Sequence, residues 1–409
     1  MSPPRLLLGK SMNASLACTL LAASLCCATV VTAAQPPAVL TTFGDGDIAA
    51  VLAHPDAGLP APAQTVGSGF GSAVDPHGLD FVRVDEVLVA DFTLPQLARL
   101  RVGDASVRGV ITLSTRTNAN GTLAVSPNGN YALSFGESSG GVAESAVVSG
   151  FGSGAIRVQA GAPNLRVRRF VTAAIDFDRS GRAYVCHTTG VAALDPPYAA
   201  TLFDVALPAT TSTSVCRLSR DGQHLFVTRA SAGIGIATAP FSAATIPTVI
   251  AAPAGVGALG AIGVSPDGNA VLVAQTNPAS AGATRARLFL LRAPYTPAAT
   301  MQELVLPAAV SGSTCTPASG GTSQCPGFED ISVSPDGRLA IVTGNSSVQD
   351  TGFSGRAPVL VITDPFEDAT RAMHAVTIGT AASANEGRGT GSVRIEPADL
   401  RIFADGFEH

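Results

Sequence analysis

From about residue 76 onward the chain alternates short apolar runs with clusters of small and turn-forming residues. Within the runs, large apolar and small or polar side chains alternate with period two, which is the pattern of strands rather than helices. One unit recurs: an apolar run, a tight turn, then a second apolar run. It reads Leu123-Ala-Val-Ser-Pro-Asn-Gly-Asn-Tyr-Ala-Leu-Ser134, returns as Ile262-Gly-Val-Ser-Pro-Asp-Gly-Asn-Ala-Val-Leu-Val273, and again as Ile331-Ser-Val-Ser-Pro-Asp-Gly-Arg-Leu-Ala-Ile-Val342. Looser copies are Ile175-Asp-Phe-Asp-Arg-Ser-Gly-Arg-Ala-Tyr-Val185 and Cys216-Arg-Leu-Ser-Arg-Asp-Gly-Gln-His-Leu-Phe-Val227. A degenerate copy opens the series at Gly78–Ala90, and another closes it at Val393–Phe403. In Ser265-Pro266-Asp267-Gly268, proline sets φ for the second turn position and glycine accepts a positive φ at the fourth, so each copy is a β-hairpin.

The second strands of the copies begin near residues 87, 131, 183, 224, 270, 339 and 400. A period near 40–50 residues built from strands alone points to a β-propeller, in which each blade takes about four short strands. The widest interval, between 270 and 339, contains the Cys315–Cys325 stretch and is read as holding an insertion. The expectation is therefore an all-β, seven-bladed propeller, with six blades as the runner-up count. Residues 35–409 form a single domain, and the Pro/Ala-rich segment from Gln35 to about Gln64 adds a closing outer strand.

Composition then changes two points of this picture. Mean hydropathy is +0.33 and only 13% of residues are charged, values that would suit a membrane protein. Yet the longest charge-free stretch, 230–266, is broken by Pro247, Pro253, Gly255, Gly257 and Gly260, which a spanning helix would not carry; it is read as blade strands and loops. The first 34 residues look different. Arg5 and Lys10 precede an uncharged run, Ser15 to Ala33, that ends in small residues, as a secretory signal peptide does; an uncleaved membrane anchor and a lipoprotein signal are the alternatives. This places the protein outside the cytoplasm, in the periplasm or the extracellular space. Lys10 is the sole lysine, so cleavage takes the formal charge from −5 to −7 and leaves no lysine for Schiff-base or phosphate-loop chemistry. The acidic balance and scattered arginines argue against nucleic acid. Cys186, Cys216, Cys315 and Cys325 remain, an even count that suggests two disulfides; of the three pairings, Cys315 with Cys325 closes a local loop and leaves Cys186 with Cys216.

The Ser-Pro-Asp-Gly turn followed by a short apolar strand resembles the YVTN-type and lactonase-like seven-bladed propellers of bacteria, over most of the chain beyond residue 34. The Tyr-Val-Thr-Asn strand itself is absent; its nearest echoes are Phe226-Val227-Thr228-Arg229 and Ile341-Val342-Thr343-Gly344. The resemblance implies a fold, and for some members action on small cyclic esters. Ile402–Glu408 also resembles a short terminal tag of exported Gram-negative proteins.

Propellers place sites at the mouth of the central channel, on the segments leading into the innermost strands. The polar residues there are His77, Asp80, Asn120, Arg217, Glu329 and Asp330, with Glu386 and Arg388 before the last copy. His77 could serve as base or ligand, and Glu329 with Asp330 as its acidic partner or as a cation site. Glu329 also resembles the Gly-x-Glu-Gly lead-in of phytase-like esterase propellers, although Asp330 stands where the second glycine would be. The leading reading is a monomeric binding or protein-interaction module, taking a small molecule or protein at the channel mouth without a resident cofactor or metal. The alternatives are a lactonase-like or phytase-like hydrolase and a calcium-stabilised adhesin-like propeller drawing on Asp45 and Asp47. Asp176-Phe-Asp178-Arg-Ser180-Gly181 resembles the start of a calcium loop but coincides with a repeat turn. Gly136-Glu-Ser138-Ser-Gly140 matches a nucleophile elbow without the helix that such an elbow needs. His187 and His224, near strand ends, are read as structural.

Overall fold

A computed structural model describes residues 38–42, 49–52, 64–66, 76–91, 94–102, 107–113, 122–137, 141–151, 153–159, 163–167, 173–207, 215–229, 232–277, 287–307, 316–317, 323–324, 327–345, 359–376 and 390–395. All belong to the unit Pro36–His409. The expected signal peptide, the Gly136–Gly140 motif beyond Glu137, Asp45, Asp47 and the Ile402–Glu408 segment lie outside them. The described residues contain strands and no helix, so none is long and apolar enough to cross a membrane.

The architecture is a β-propeller. Six blades are four-stranded antiparallel sheets whose strands follow one another in sequence. Their innermost strands are Pro76–Arg83 (blade I), Thr122–Val125 (II), Ile175–Phe177 (III), Cys216–Leu218 (IV), Ala258–Val264 (V) and Gly327–Val333 (VI). A seventh four-stranded sheet is composite: Thr390–Ile395 lies innermost and pairs with Ala38–Thr42, which leads to Ala49–Leu52 and Gln64–Val66. Six continuous blades thus match the runner-up count, and the composite sheet stands in the seventh place. The innermost strands neighbour one another in order, and Thr390–Ile395 lies beside both blade VI and blade I, so the ring is closed. The N-terminal segment contributes three strands rather than the single one expected. The second strand expected near residue 400 is outside the described residues; Ala38–Thr42 takes that place, with Val39 opposite Arg394. The long interval before blade VI does hold an insertion, a small ribbon pairing Thr316 with Gln324.

The hairpin turns form as their sequence dictates. In blade V, Gly268 N–H donates to Ser265 O (2.9 Å) with Gly268 at φ 71°. Ser265 Oγ accepts from Ala270 N–H (2.9 Å) and donates to Asp267 Oδ1 (2.6 Å), which accepts from Asn269 N–H (3.1 Å). The same lattice recurs around Ser126, Ser219 and Ser334. Between these turns the second strands are buried on both faces, as in Ala183–His187, where every residue is buried, because each sheet is covered by a blade on either side. Tyr198 and Tyr295 fasten the blades to their own turns, donating to Gly181 O and Gly268 O (2.6 Å each).

The expected bond between Cys186 and Cys216 is absent: both are buried free thiols. Cys186 lies on the second strand of blade III and Cys216 on the innermost strand of blade IV. The Cys216 thiol is committed to blade III backbone, donating to Ala174 O (3.3 Å) and Tyr184 O (3.6 Å). Burial pushes the Cys186 thiol well up, with Cys216 adding to the rise, so Cys186 packs as a small apolar side chain. Cys315 and Cys325 lie outside the described residues.

Candidate functional site

One position at the centre of each innermost strand can be followed round the ring. Aligned on the hairpin turns, it is occupied by Asp80, Ala124, Asp176, Arg217, Gly263, Ser332 and Arg394. All seven line one axial cavity of about 330 Å³, within the size range of small-molecule sites. It is continuous with a second cavity opening among the turns of blades II to VI, because both share Asp176, Phe177, Leu218, Val264 and Val333.

The first task of these side chains is structural. The inner edge of each blade presents backbone N–H groups that no ladder satisfies, and an unpaired buried N–H is costly. Asp80 accepts from its own neighbour Phe81 N–H (2.9 Å) and from Val125 N–H of the next blade (2.7 Å). Asp176 repeats this with Phe177 (2.9 Å) and with Leu218 of the next blade (2.8 Å). At the same position Ser332 Oγ accepts from Ile395 N–H (3.0 Å). Two residues earlier on the same strand, Asp330 accepts from Ile331 N–H (2.9 Å) and Val393 N–H (3.2 Å).

The second feature is an ion network across the axis. Asp330 is fully buried and does not itself line the cavity. Arg217 Nη2 donates to its Oδ1 (3.1 Å) and Arg394 Nη1 to its Oδ2. Arg394 Nε also stands 3.7 Å from Asp80 Oδ1. Arg217 reaches past blade V, where the aligned residue is glycine; a Cβ at Gly263 would come within 2.4 Å of Ile331 Cγ2. Burial raises the Asp80 carboxyl above its ordinary range, against the opposing pull of Arg394. Burial likewise raises Asp176, opposed by Arg217 and the Leu218 N–H. Burial works against the Arg394 charge, but Asp330 and Asp80 outweigh it and its pKa rises. Among the described residues, the Arg217 guanidinium donates only to Asp330. Arg394 Nη1 also donates to Val393 O (2.7 Å), so its Nη2 and most of the Arg217 donors remain for a ligand.

Three of the six candidate residues, Asp80, Arg217 and Asp330, are thus brought together, and sequence reasoning missed Asp176 and Arg394 as their partners. The signal was present: Asp80 and Asp176 share one place in the repeat, and so do Arg217 and Arg394. Glu329 does not join them. It is buried on a bulge, since Phe328 pairs with Gly344 and Asp330 with Thr343, and it does not line the cavity. His77 lies on the innermost strand of blade I, but its side chain is outside the description, as are Asn120, Glu386 and Arg388. Asp178 is occupied by its turn, accepting from Ser180 N–H (2.9 Å) and Arg182 N–H (3.0 Å). Among the described residues no three His, Cys, Asp or Glu side chains cluster as metal ligands do. His224 is packed edge-on against Tyr295 (5.3 Å between centroids).

No family model and no curated protein matches the chain. Solved structures do. A periplasmic gluconolactonase of Pseudomonas aeruginosa is 14% identical with a TM-score of 0.58, covering 88% of this chain and 99% of its own. A hypothetical selenium-binding protein of Sulfolobus tokodaii is 10% identical with a TM-score of 0.59, covering 88% and 94%. A protein of unknown function from Desulfotomaculum acetoxidans is 12% identical with a TM-score of 0.53, covering 88% and 99%. At such identities the likeness is one of fold, and it agrees with the closed ring of blades: the chain is a β-propeller.

Proposed function

We propose that the protein is an exported binding module whose axial channel takes a small, neutral, polyhydroxylated molecule. The observation that carries this is the meeting of Asp80, Asp176, Arg217 and Arg394 around one cavity of about 330 Å³. The arginines supply unused donors, and the carboxylates keep lone pairs beyond those given to backbone N–H groups. Phe81, Phe177 and Val264 add apolar wall. A hydroxyl both donates and accepts, so a polyol satisfies such a lining where a purely anionic or cationic ligand does not. Three aspartates against two arginines also disfavour an anion.

A second reading is hydrolysis of a small lactone in the same channel. Asp80 and Asp176 have carboxyls raised by burial, and carboxyls tuned in this way act as general acids and bases. A gluconolactonase among the structural neighbours makes lactones the natural panel to try.

Calorimetry of the full chain against neutral sugars, their lactones and the corresponding sugar acids tests both readings. The expected result is binding of neutral sugars or lactones ahead of the acids, weakened at least about tenfold in Arg217→Met, the scale of one lost charged hydrogen bond. Preference for the acids would overturn the neutral-ligand reading, and no binding would leave the network with its structural role alone. Release of acid from a lactone, abolished in Asp176→Asn, would establish the hydrolase reading.

A further inference from the structure

A second constellation lies away from the channel, on blade III. The strands Ala183–His187 and Gly190–Leu194 are joined by a two-residue turn, Thr188-Thr189. Such turns favour Asn-Gly and related pairs, whose backbones accept positive φ. Two β-branched residues run against that preference, and neither has a positive φ. Turn chemistry therefore does not account for the threonines.

Their surroundings do. Thr189 is exposed, and its Oγ1 stands 3.3 Å from His187 Nδ1. The histidine is 7% exposed. Its other nitrogen, Nε2, is 2.9 Å from Asp204 Oδ2 on the outer strand Phe203–Ala206. That contact is short but lies off the N–H axis, as relays at rest often do before a reactant tightens them. Asp204 lies against the hairpin because residue 190 is glycine: a Cβ there would fall 2.7 Å from the backbone Val205 O and 2.5 Å from Asp204 Oδ1. With the carboxylate facing Nε2, the proton belongs on Nε2, and Nδ1 is left as the acceptor facing the threonine hydroxyl. Hydroxyl, imidazole and carboxylate thus stand in the order of a nucleophile, its base and the group that orients the base.

We propose that Thr189 is an acyl-acceptor site, its hydroxyl activated by His187 and His187 oriented by Asp204. The ligand class is a small activated acyl ester, because the site is an open hairpin rather than a pocket. In the step, Thr189 Oγ1 bonds to the acyl carbon as its proton passes to His187 Nδ1. The bond from that carbon to the leaving oxygen breaks, and the proton leaves with the departing group or to solvent. The product is a threonine ester. This proposal is independent of the axial channel.

The test is incubation of the full chain with p-nitrophenyl acetate, followed by intact mass and peptide mapping. Background is low, since Lys10 is the sole lysine. The expected result is acetylation at Thr189 that is lost in Thr189→Val, kept in Thr189→Ser and unaffected in Thr188→Val. Asp204→Asn, a positioning variant at a half-exposed residue, should slow the reaction at least about tenfold, toward the range attributed to a general base. Circular dichroism melts establish that each variant is folded. Acetyl groups spread over surface hydroxyls without preference for Thr189, or an Asp204→Asn rate equal to that of the parent, would overturn the proposal.

Discussion

The hairpin turns and the centre of the channel use the same residue, aspartate, to opposite effect. At the turn, Asp267 is exposed, and every partner it has lies within two residues: Ser265 and Asn269. Its pKa is lowered, first by the Ser265 hydroxyl. In the channel, Asp330 is buried and its charge partners are Arg217 and Arg394, 113 and 64 residues away. Asp80 and Asp176, beside it, have raised pKa values because burial outweighs their partners. One aspartate is a local device that needs only its own hairpin; the others work only when the ring has closed. Turns therefore set where each blade bends, while the channel charges report on whether the blades meet.

The largest effect expected from breaking this contrast is at Asp330. Replacing it with asparagine removes the counter-charge of two largely buried guanidiniums and an acceptor for Val393 N–H. Loss of one member of a buried ion network costs about 3–5 kcal/mol, to be read as a shift in the urea midpoint at unchanged slope. Asp267→Asn should cost far less, because blade II already carries Asn128 at that place, with Ser126 Oγ 2.8 Å from its side-chain oxygen.

A smaller effect separates two turns of the same sequence type. Gly222 and Gly268 both have φ near 70° (72° and 71°). Alanine at either must accept the left-handed region, at about 1–2 kcal/mol. At Gly222 nothing stands within 4 Å of the added Cβ, whereas at Gly268 it would lie 2.9 Å from Ser219 Cβ of the neighbouring blade. Gly268→Ala should therefore lower the melting temperature more than Gly222→Ala does. Equal losses would mean that the turns of blades IV and V do not abut as described.

The same contrast explains what could be read from the chain. Ser-Pro-Asp-Gly was legible because all its bonds close within five residues. Asp80, Arg217 and Asp330 are legible as polar residues near the start of innermost strands, although they stand within those strands rather than on the segments that lead into them. Asp176 was assigned to a turn because Asp178, two residues on, does serve one. Arg394 escaped notice because its hairpin partner is not the next strand but Ala38–Thr42, paired from the other end of the chain. The His187, Thr189 and Asp204 grouping also needs two strands in register before it exists. Short-range chemistry is written in the sequence order; ring closure and cross-strand neighbours are written only in the register.

The finest distinction between the two regions is the sign of their pH dependence. A carboxyl whose pKa is raised on folding binds its proton more tightly in the native state. Its contribution is then fully present below the unfolded value, near 3.8 for Asp176, and is lost as pH rises through the folded value. A carboxyl whose pKa is lowered, such as Asp267, contributes stability that is present above 3.8 and is lost as pH falls through its folded value. Asparagine cannot titrate, so each substitution removes one slope and leaves a constant offset. With rising pH above 3.8, Asp176→Asn should gain on the parent. Asp267→Asn should lose ground to the parent as pH rises toward 3.8, and hold a fixed difference above it. Urea titrations of the three proteins from pH 3 to pH 7 read these as diverging and then parallel midpoints. If both variants diverge from the parent in the same direction, the channel carboxyls are not desolvated as the closed ring requires, and the division of labour between turn and axis fails.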